Sequence, residues 1–185
     1  MSRNLPSPEV LRNVLRYDVK TGMLFWRQRP VEMFAGGTYS ADRACRTWNA
    51  KHAGKPALVA VNAYGYLYGN VFRQKVRAHR AIWALVFGVW PEGEVDHRNG
   101  DPKDNRLENL RLATPAQNSR NQKLSAANTS GYKGVSYGKA QGKWLARLRI
   151  DGGRIWQREF DTKEDAALAV AKARATFHGE FARHA

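Results

Sequence analysis

The chain has 185 residues, 43% hydrophobic and 11% aromatic, enough to bury a core and too apolar for a disordered polymer. Its 31 Lys and Arg against 16 Asp and Glu give a formal charge of +15, which points to a polyanionic partner. Cys45 is the only cysteine, so an internal disulfide and a cysteine-rich zinc site are excluded and a reducing cytoplasm is the expected compartment. No apolar run reaches the roughly 18–20 residues that span a bilayer and no signal-peptide core opens the chain, so no membrane partner is expected.

Ser7-Pro8 is composed as the start of a helix, with Val10, Leu11, Val14 and Leu15 as its apolar face. Asp18 to Gly22 (DVKTG) reads as a turn and Met23 to Trp26 as a strand. From Arg27 to Lys55 periodicity is lost, and Gly36-Gly37 adds to the reading of a long surface loop or insertion. Its Arg27, Arg29, Arg43, Arg46 and Lys51 fit phosphate contacts or a solvated loop equally well, and His52 has no evident role. Ala57–Val61 and Tyr66–Phe72 read as strands around a turn at Tyr64-Gly65, with Lys75–Ala78 as a third. His79 to Trp90 is apolar on nearly every side and predicts a buried helix ending near Gly88. His79 and Arg80 at its start read either as a satisfied helix-terminal pair or as phosphate or scissile-site contacts.

The stretch Val95–Asn121 concentrates polar chemistry. Asp96 and His97 close a short strand, then Asn99-Gly100-Asp101-Pro102 bends the chain. Leu110–Ala113 is a second strand. Thr114-Pro115-Ala116-Gln117 opens a helix with a capping box and puts Asn118 on its first turns. Histidine is the side chain best suited to take a proton near neutral pH, and a carboxylate suits Mg²⁺.

Asp96, His97, Asn99, Gly100, Asp101, Asp104, Asn105, Arg106, Glu108, Asn109, Leu110, Arg111, Thr114, Gln117 and Asn118 together resemble the HNH endonuclease motif of phage and intron-homing proteins. The DxxTG turn and the HRAIW-type helix are similar to the same proteins. The resemblance implies a ββα-metal fold with one Mg²⁺ or Mn²⁺ ion. It further implies that Asp96 and Asn118 are the metal ligands, that His97 is the general base, and that Asn109, the other catalytic residue, braces the loop and the histidine. Asn118 stands where the wider family has His, and an amide oxygen favours Mg²⁺ over Zn²⁺.

Lys123 to Ser130 reads as a linker. Beyond it Tyr132–Tyr137, Trp144–Ile150 and Ile155–Phe160 predict three strands, and Asp161-Thr162 caps a helix closed by Gly179. Trp144, Ala146, Leu148 and Ile150 share one strand face; Leu145, Arg147 and Arg149 share the other. Ala166, Val170, Ala173 and Phe177 form the helix stripe, while His178 and His184 read as structural or incidental. GYKGVSY, GKWLARLRI, RIWQREFDTKEDAALAVAKA and the HGEFA tail resemble the APETALA/ethylene-response-factor DNA-binding domain. That resemblance implies a three-stranded antiparallel sheet on one long helix, with Lys133, Ser136, Arg147, Arg149, Arg154 and Trp156 as DNA contacts.

The expected chain is α+β. Residues 1–122 would form an α+β region with the HNH motif (core 79–122), 123–130 a linker and 131–185 the DNA-binding domain. The expected activity is metal-dependent nicking of double-stranded DNA, aided by contacts from His79, Arg80 and Arg98. No small-molecule cofactor is expected, and the chain would act as a monomer or weak dimer. The alternative is a non-catalytic DNA-binding regulator on an HNH-like scaffold.

Overall fold

Capping explains where the first helix begins. In a computed structural model, which describes residues 5–34, 39–122 and 124–183, Ser7 accepts Val10 N at 3.2 Å and Pro8 opens α1 (Pro8–Val14). Leu11 and Val14 are buried, whereas Val10 is largely exposed. Leu15 already belongs to β1 (Leu15–Asp18), which pairs antiparallel with β2 (Met23–Trp26) across the DVKTG turn. The chain divides into two compact units, one running up to Leu112 and the other starting at Ala113.

The expectation of a structureless loop between Arg27 and Lys55 is corrected. Residues Val31–Phe34 form a 3-10 turn, and Ala41–His52 form helix α2, capped by Ser40. No residue of α2 is buried, but Ala41, Ala44, Cys45 and Trp48 recur at helical spacing on its half-buried side, a stripe of mostly small residues that is easily missed. The helix is held by single tethers. The Arg29 guanidinium stacks 3.8 Å over Trp48, whose ring meets Trp26 edge-on at 5.7 Å. Asn49 accepts Arg29 N and donates to Arg29 O, both at 2.9 Å. Burial pushes the Arg29 guanidinium below its usual value, and the side chain acts as an internal strut. Gly36 and Gly37 lie outside the described residues.

The expected strand Ala57–Val61 is two strands in two sheets. Pro56–Ala57 (β3) extends the first sheet, in the order β1-β2-β3, and Ala60–Val61 (β4) starts the next. Leu58, buried at φ 55°, makes the break. The second sheet continues through β5 (Leu67–Val71) and β6 (Gln74–Arg77). Helix α3 (Ala78–Phe87) follows, closed by Gly88 at φ 74°, a left-handed C-cap that suits glycine. It is not buried throughout: Val86 and Phe87 near its end are exposed, as is Val89 beyond it. Leu11, Val14, Leu24, Val71, Ile82 and Leu110 are among the residues that join in one core. β7 (Glu94–His97) and β8 (Leu110–Ala113) form a two-stranded sheet.

In the second unit α4 (Pro115–Arg120) begins at Thr114 with both halves of the capping box formed. Beyond it Ser130 is buried, with its hydroxyl 2.8 Å from Val135 O, so this end of the expected linker is built into a turn. Strands β9 (Val135–Gly138), β10 (Lys143–Arg149) and β11 (Ile155–Phe160) are antiparallel in the order β11-β10-β9. α5 (Lys163–His178) packs on them through Ala166, Val170 and Ala173, against Val135, Ala146 and Leu148. Phe177 is exposed rather than part of that stripe; Arg174 and His178 are buried instead. Arg174 donates to Lys133 O at 2.7 Å, and His178 Nε2 bonds Arg149 O at 2.9 Å, a structural role for this histidine. His184 lies outside the described residues. No described helix is long and apolar enough to cross a membrane.

Candidate active site

β7 ends on three buried residues, Val95, Asp96 and His97. Successive strand residues face opposite ways, and the two polar ones indeed find different partners. Asp96 Oδ2 accepts Arg111 Nε at 2.8 Å and lies 2.8 Å from Arg111 Nη2. Both side chains are about 5% exposed, so this is a buried ion pair between β7 and β8. His97 Nε2 stands 2.9 Å from Asn105 Oδ1. An amide oxygen only accepts, so Nε2 carries the proton and the ring's lone pair is on Nδ1. Burial pushes His97 below the ordinary imidazole value, opposed by the Asn105 bond and by the charges of Asp96, Asp101 and Asp104. The ring is therefore neutral at pH 7, as a proton acceptor must be.

The loop between the strands is pinned from within. Asn109 Oδ1 accepts Asn99 N at 2.9 Å; its Nδ2 donates to Asn99 Oδ1 at 3.0 Å and to Asp104 O at 2.7 Å. Its backbone oxygen accepts Arg98 N at 2.8 Å. Asn109 thus braces the loop, while contact with the imidazole falls to Asn105, a residue the motif contains but to which sequence reasoning assigned no role. Asn105 is 1% exposed, and an amide so buried must have a partner. Asp104 accepts Arg106 Nε at 2.8 Å and Asn99 Nδ2 at 2.8 Å, and the Arg106 contacts hold its carboxyl down at about 2.

His79 is 2% exposed and so is no surface phosphate contact. Its ring meets His97 edge-on at 5.2 Å, and Tyr66 flanks both rings, at 5.2 Å from His79 and 5.8 Å from His97. Burial pushes His79 down to about 3, with His97, Arg77 and Arg80 acting in the same direction. It is a neutral wall beside His97. Arg80 donates to Gly93 O and Pro91 O, each at 2.7 Å, which is the satisfied helix-terminal role. Arg98 is exposed just beyond β7.

Asn118 lies half-buried on α4, in the second unit. Lys133 Nζ donates to Arg120 O at 2.7 Å and Gln122 O at 2.6 Å, clasping the end of α4. Burial, aided by the charges of Arg174 and Arg183, pushes that ammonium down to about 8. Ser136, Arg147 and Arg149 share the outward sheet face, since Ser136 pairs with Leu145 and Arg147 with Gln157. Trp156 pairs with Leu148 and packs on the helix side, away from those arginines. Arg154 is exposed between β10 and β11.

A divalent ion is tested by the donors present. Among the described residues no three His, Cys, Asp or Glu side chains cluster as a metal cage. A single carboxylate such as Asp96, paired to Arg111 through Oδ2, is a hard oxygen donor of the kind Mg²⁺ takes, since that ion keeps waters and substrate phosphates and needs only one or two protein carboxylates. It does not fit a closed zinc site.

Residues 76–120 match the family model described as HNH endonuclease. The chain is 37% identical to Protein 3.8 of Escherichia phage T7 over 113 residues, 60% of this chain and 93% of that protein. It is 33% identical over 110 residues to an uncharacterized HNH endonuclease of Acanthamoeba polyphaga mimivirus, covering 58% of this chain and 56% of that one. The chain therefore belongs to the family of phage T7 Protein 3.8 and carries an HNH endonuclease domain. No solved structure matches it.

Proposed function

We propose that the chain is a metal-dependent DNA endonuclease of the homing type, cutting one strand of a duplex. The observation that carries this reading is the neutral, buried His97, oriented through Nε2 by Asn105 and adjacent to the Asp96 carboxylate. His97 Nδ1 takes a proton from water, and the water oxygen attacks phosphorus in line. The P–O bond to the leaving oxygen breaks as the new one forms. Asp96, and Asn118 by the family motif, would hold one Mg²⁺ or Mn²⁺. A bound ion would neutralise charge on the phosphoryl and leaving oxygens. By the family motif, β7, β8 and α4 would supply the parts of a ββα-metal module.

The second unit acts as a duplex-binding module of the APETALA/ethylene-response-factor type. Three antiparallel strands on one long helix, with Ser136, Arg147 and Arg149 on the outward face and Arg154 beside it, support this. Arg98 contacts phosphate near the cut. Lys133, engaged on α4, and Trp156, on the helix side, are left out of the contact set.

Incubation of the protein with supercoiled DNA tests the reading. Nicking in Mg²⁺, abolished by EDTA and absent in His97→Ala, is expected. Binding without nicking on any DNA would favour a regulator. For the second unit, Arg147→Ala/Arg149→Ala should lower the salt slope of binding by about 2. An unchanged slope removes both residues from the interface.

A further inference from the structure

The β1–β2 hairpin reaches the HNH loop from 88 residues away in the chain: Tyr17 Oη donates to Asn105 O at 3.0 Å. At the other end of the turn Gly22 has φ +73°, and a Cβ there would lie 2.6 Å from Arg106 N and 2.7 Å from Asn105 C. Only a bare backbone can approach the 105–106 peptide so closely. The DVKTG sequence builds that approach. Asp18 Oδ1 accepts Lys20 N at 3.0 Å and Thr21 N at 3.2 Å, while Gly22 N donates to Asp18 O at 2.9 Å. The hairpin therefore grips Asn105 by its main chain, and Asn105 grips His97 by its side chain at 2.9 Å.

We propose that the β1–β2 hairpin is a positioning device for His97, with Tyr17 and Gly22 as positioning residues acting through Asn105. This rests on the reading of His97 as the general base. The hydroxyl of Tyr17 and the flat face of Gly22 fix the Asn105 peptide. That peptide sets the height of Oδ1, which selects the Nε2–H tautomer and aims Nδ1. A misplacement of about 1 Å at such a group costs up to ~10²-fold in rate. The hairpin holds no ligand of its own.

The test is a double-mutant cycle in the full chain: Tyr17→Phe, Asn105→Ala and the pair, in the supercoiled-DNA nicking assay. A parallel ¹⁵N-histidine NMR spectrum at pH 7.5 reads the His97 tautomer. Tyr17→Phe is expected to lower kcat roughly tenfold at unchanged KM and to bring in the Nδ1–H tautomer. In the Asn105→Ala background it should do nothing further. Gly22→Ala should act in the same direction, with Tyr17→Phe as the gentler variant if that protein does not fold. Equal losses in both backgrounds, which a general loosening of the fold would give, overturn the proposal. So does a Tyr17→Phe protein with unchanged kcat and tautomer. If the wild-type chain does not cut, the nuclease reading fails, and the tautomer spectra still decide for or against the hairpin.

Discussion

Arg111→Met isolates the buried ion pair at the centre of the site. The substitution keeps an apolar stem and removes the guanidinium that holds Asp96 Oδ2 through Nε and Nη2, both at 2.8 Å. Asp96 is left 5% exposed without that charge partner. Removing one member of a buried pair costs ~3–5 kcal/mol, because the other charge loses its compensation. For a unit of this size, about 4 °C of melting temperature per kcal/mol translates that into about 12–20 °C. Thermal melts followed by circular dichroism at pH 7 measure it. Asp96→Asn/Arg111→Met removes the carboxylate charge as well and should recover more than half of the loss. A single variant that costs under about 1 kcal/mol, or a double variant no more stable than the single, would refute the argument.

His97→Ala should reduce nicking by ~10²–10⁴-fold while duplex binding in a gel-shift assay is retained. His79→Phe should remove a source of acid sensitivity. The folded imidazole sits at about 3, so below pH 6.5 the unfolded chain binds a proton that the folded chain refuses. Stability present at pH 7 is thus lost as pH falls from 6.5 toward 3. Denaturant melts at pH 6.5 and pH 5 should show the wild type losing about 1.6 kcal/mol more than His79→Phe over that interval; equal losses would contradict it. Thr114→Ala removes the Thr114 Oγ1 half of the capping box, leaving the Gln117 bond to the backbone N of residue 114, and should cost about 1 kcal/mol, read as a lower denaturation midpoint.

Much of the architecture was legible because its signals are local. Ser7-Pro8, DVKTG, Gly88 and the Thr114 capping box each mark a boundary through backbone chemistry that depends on few neighbours. Along β10 the stretch Ala146 to Arg149 alternates between buried and exposed, so Arg147 and Arg149 were placed on the correct side of that strand. Helix α2 escaped because its inward stripe, Ala41, Ala44, Cys45 and Trp48, is mostly small and only half-buried, and its hold on Arg29 through Trp48 and Asn49 carries no mark in the sequence. Leu58 escaped because a positive φ at a leucine carries no mark in the sequence. In the site, Asp96 and His97 were evident as a pair, but their partners were not. Arg111 reads as one more basic residue and Asn105 as one more loop amide until the strands bring them to the carboxylate and the imidazole. The outward role of Trp156 failed for a simpler reason: its parity on β11 follows Leu148, not Arg147.

The clasp on α4 bears on how this protein could be recombined. Lys133 reaches back to Arg120 O and Gln122 O, and Arg183 Nη1 lies 3.4 Å from Asn121 O. The last helix of the nuclease motif is thus fastened by residues that a domain swap at position 123 would discard. Because α4 carries Asn118, it has to stay with the nuclease, so a new targeting module grafted after it would have to bring its own equivalents of Lys133 and Arg183. Specificity engineering that treats the two motifs as separable blocks would cut through the fastening itself.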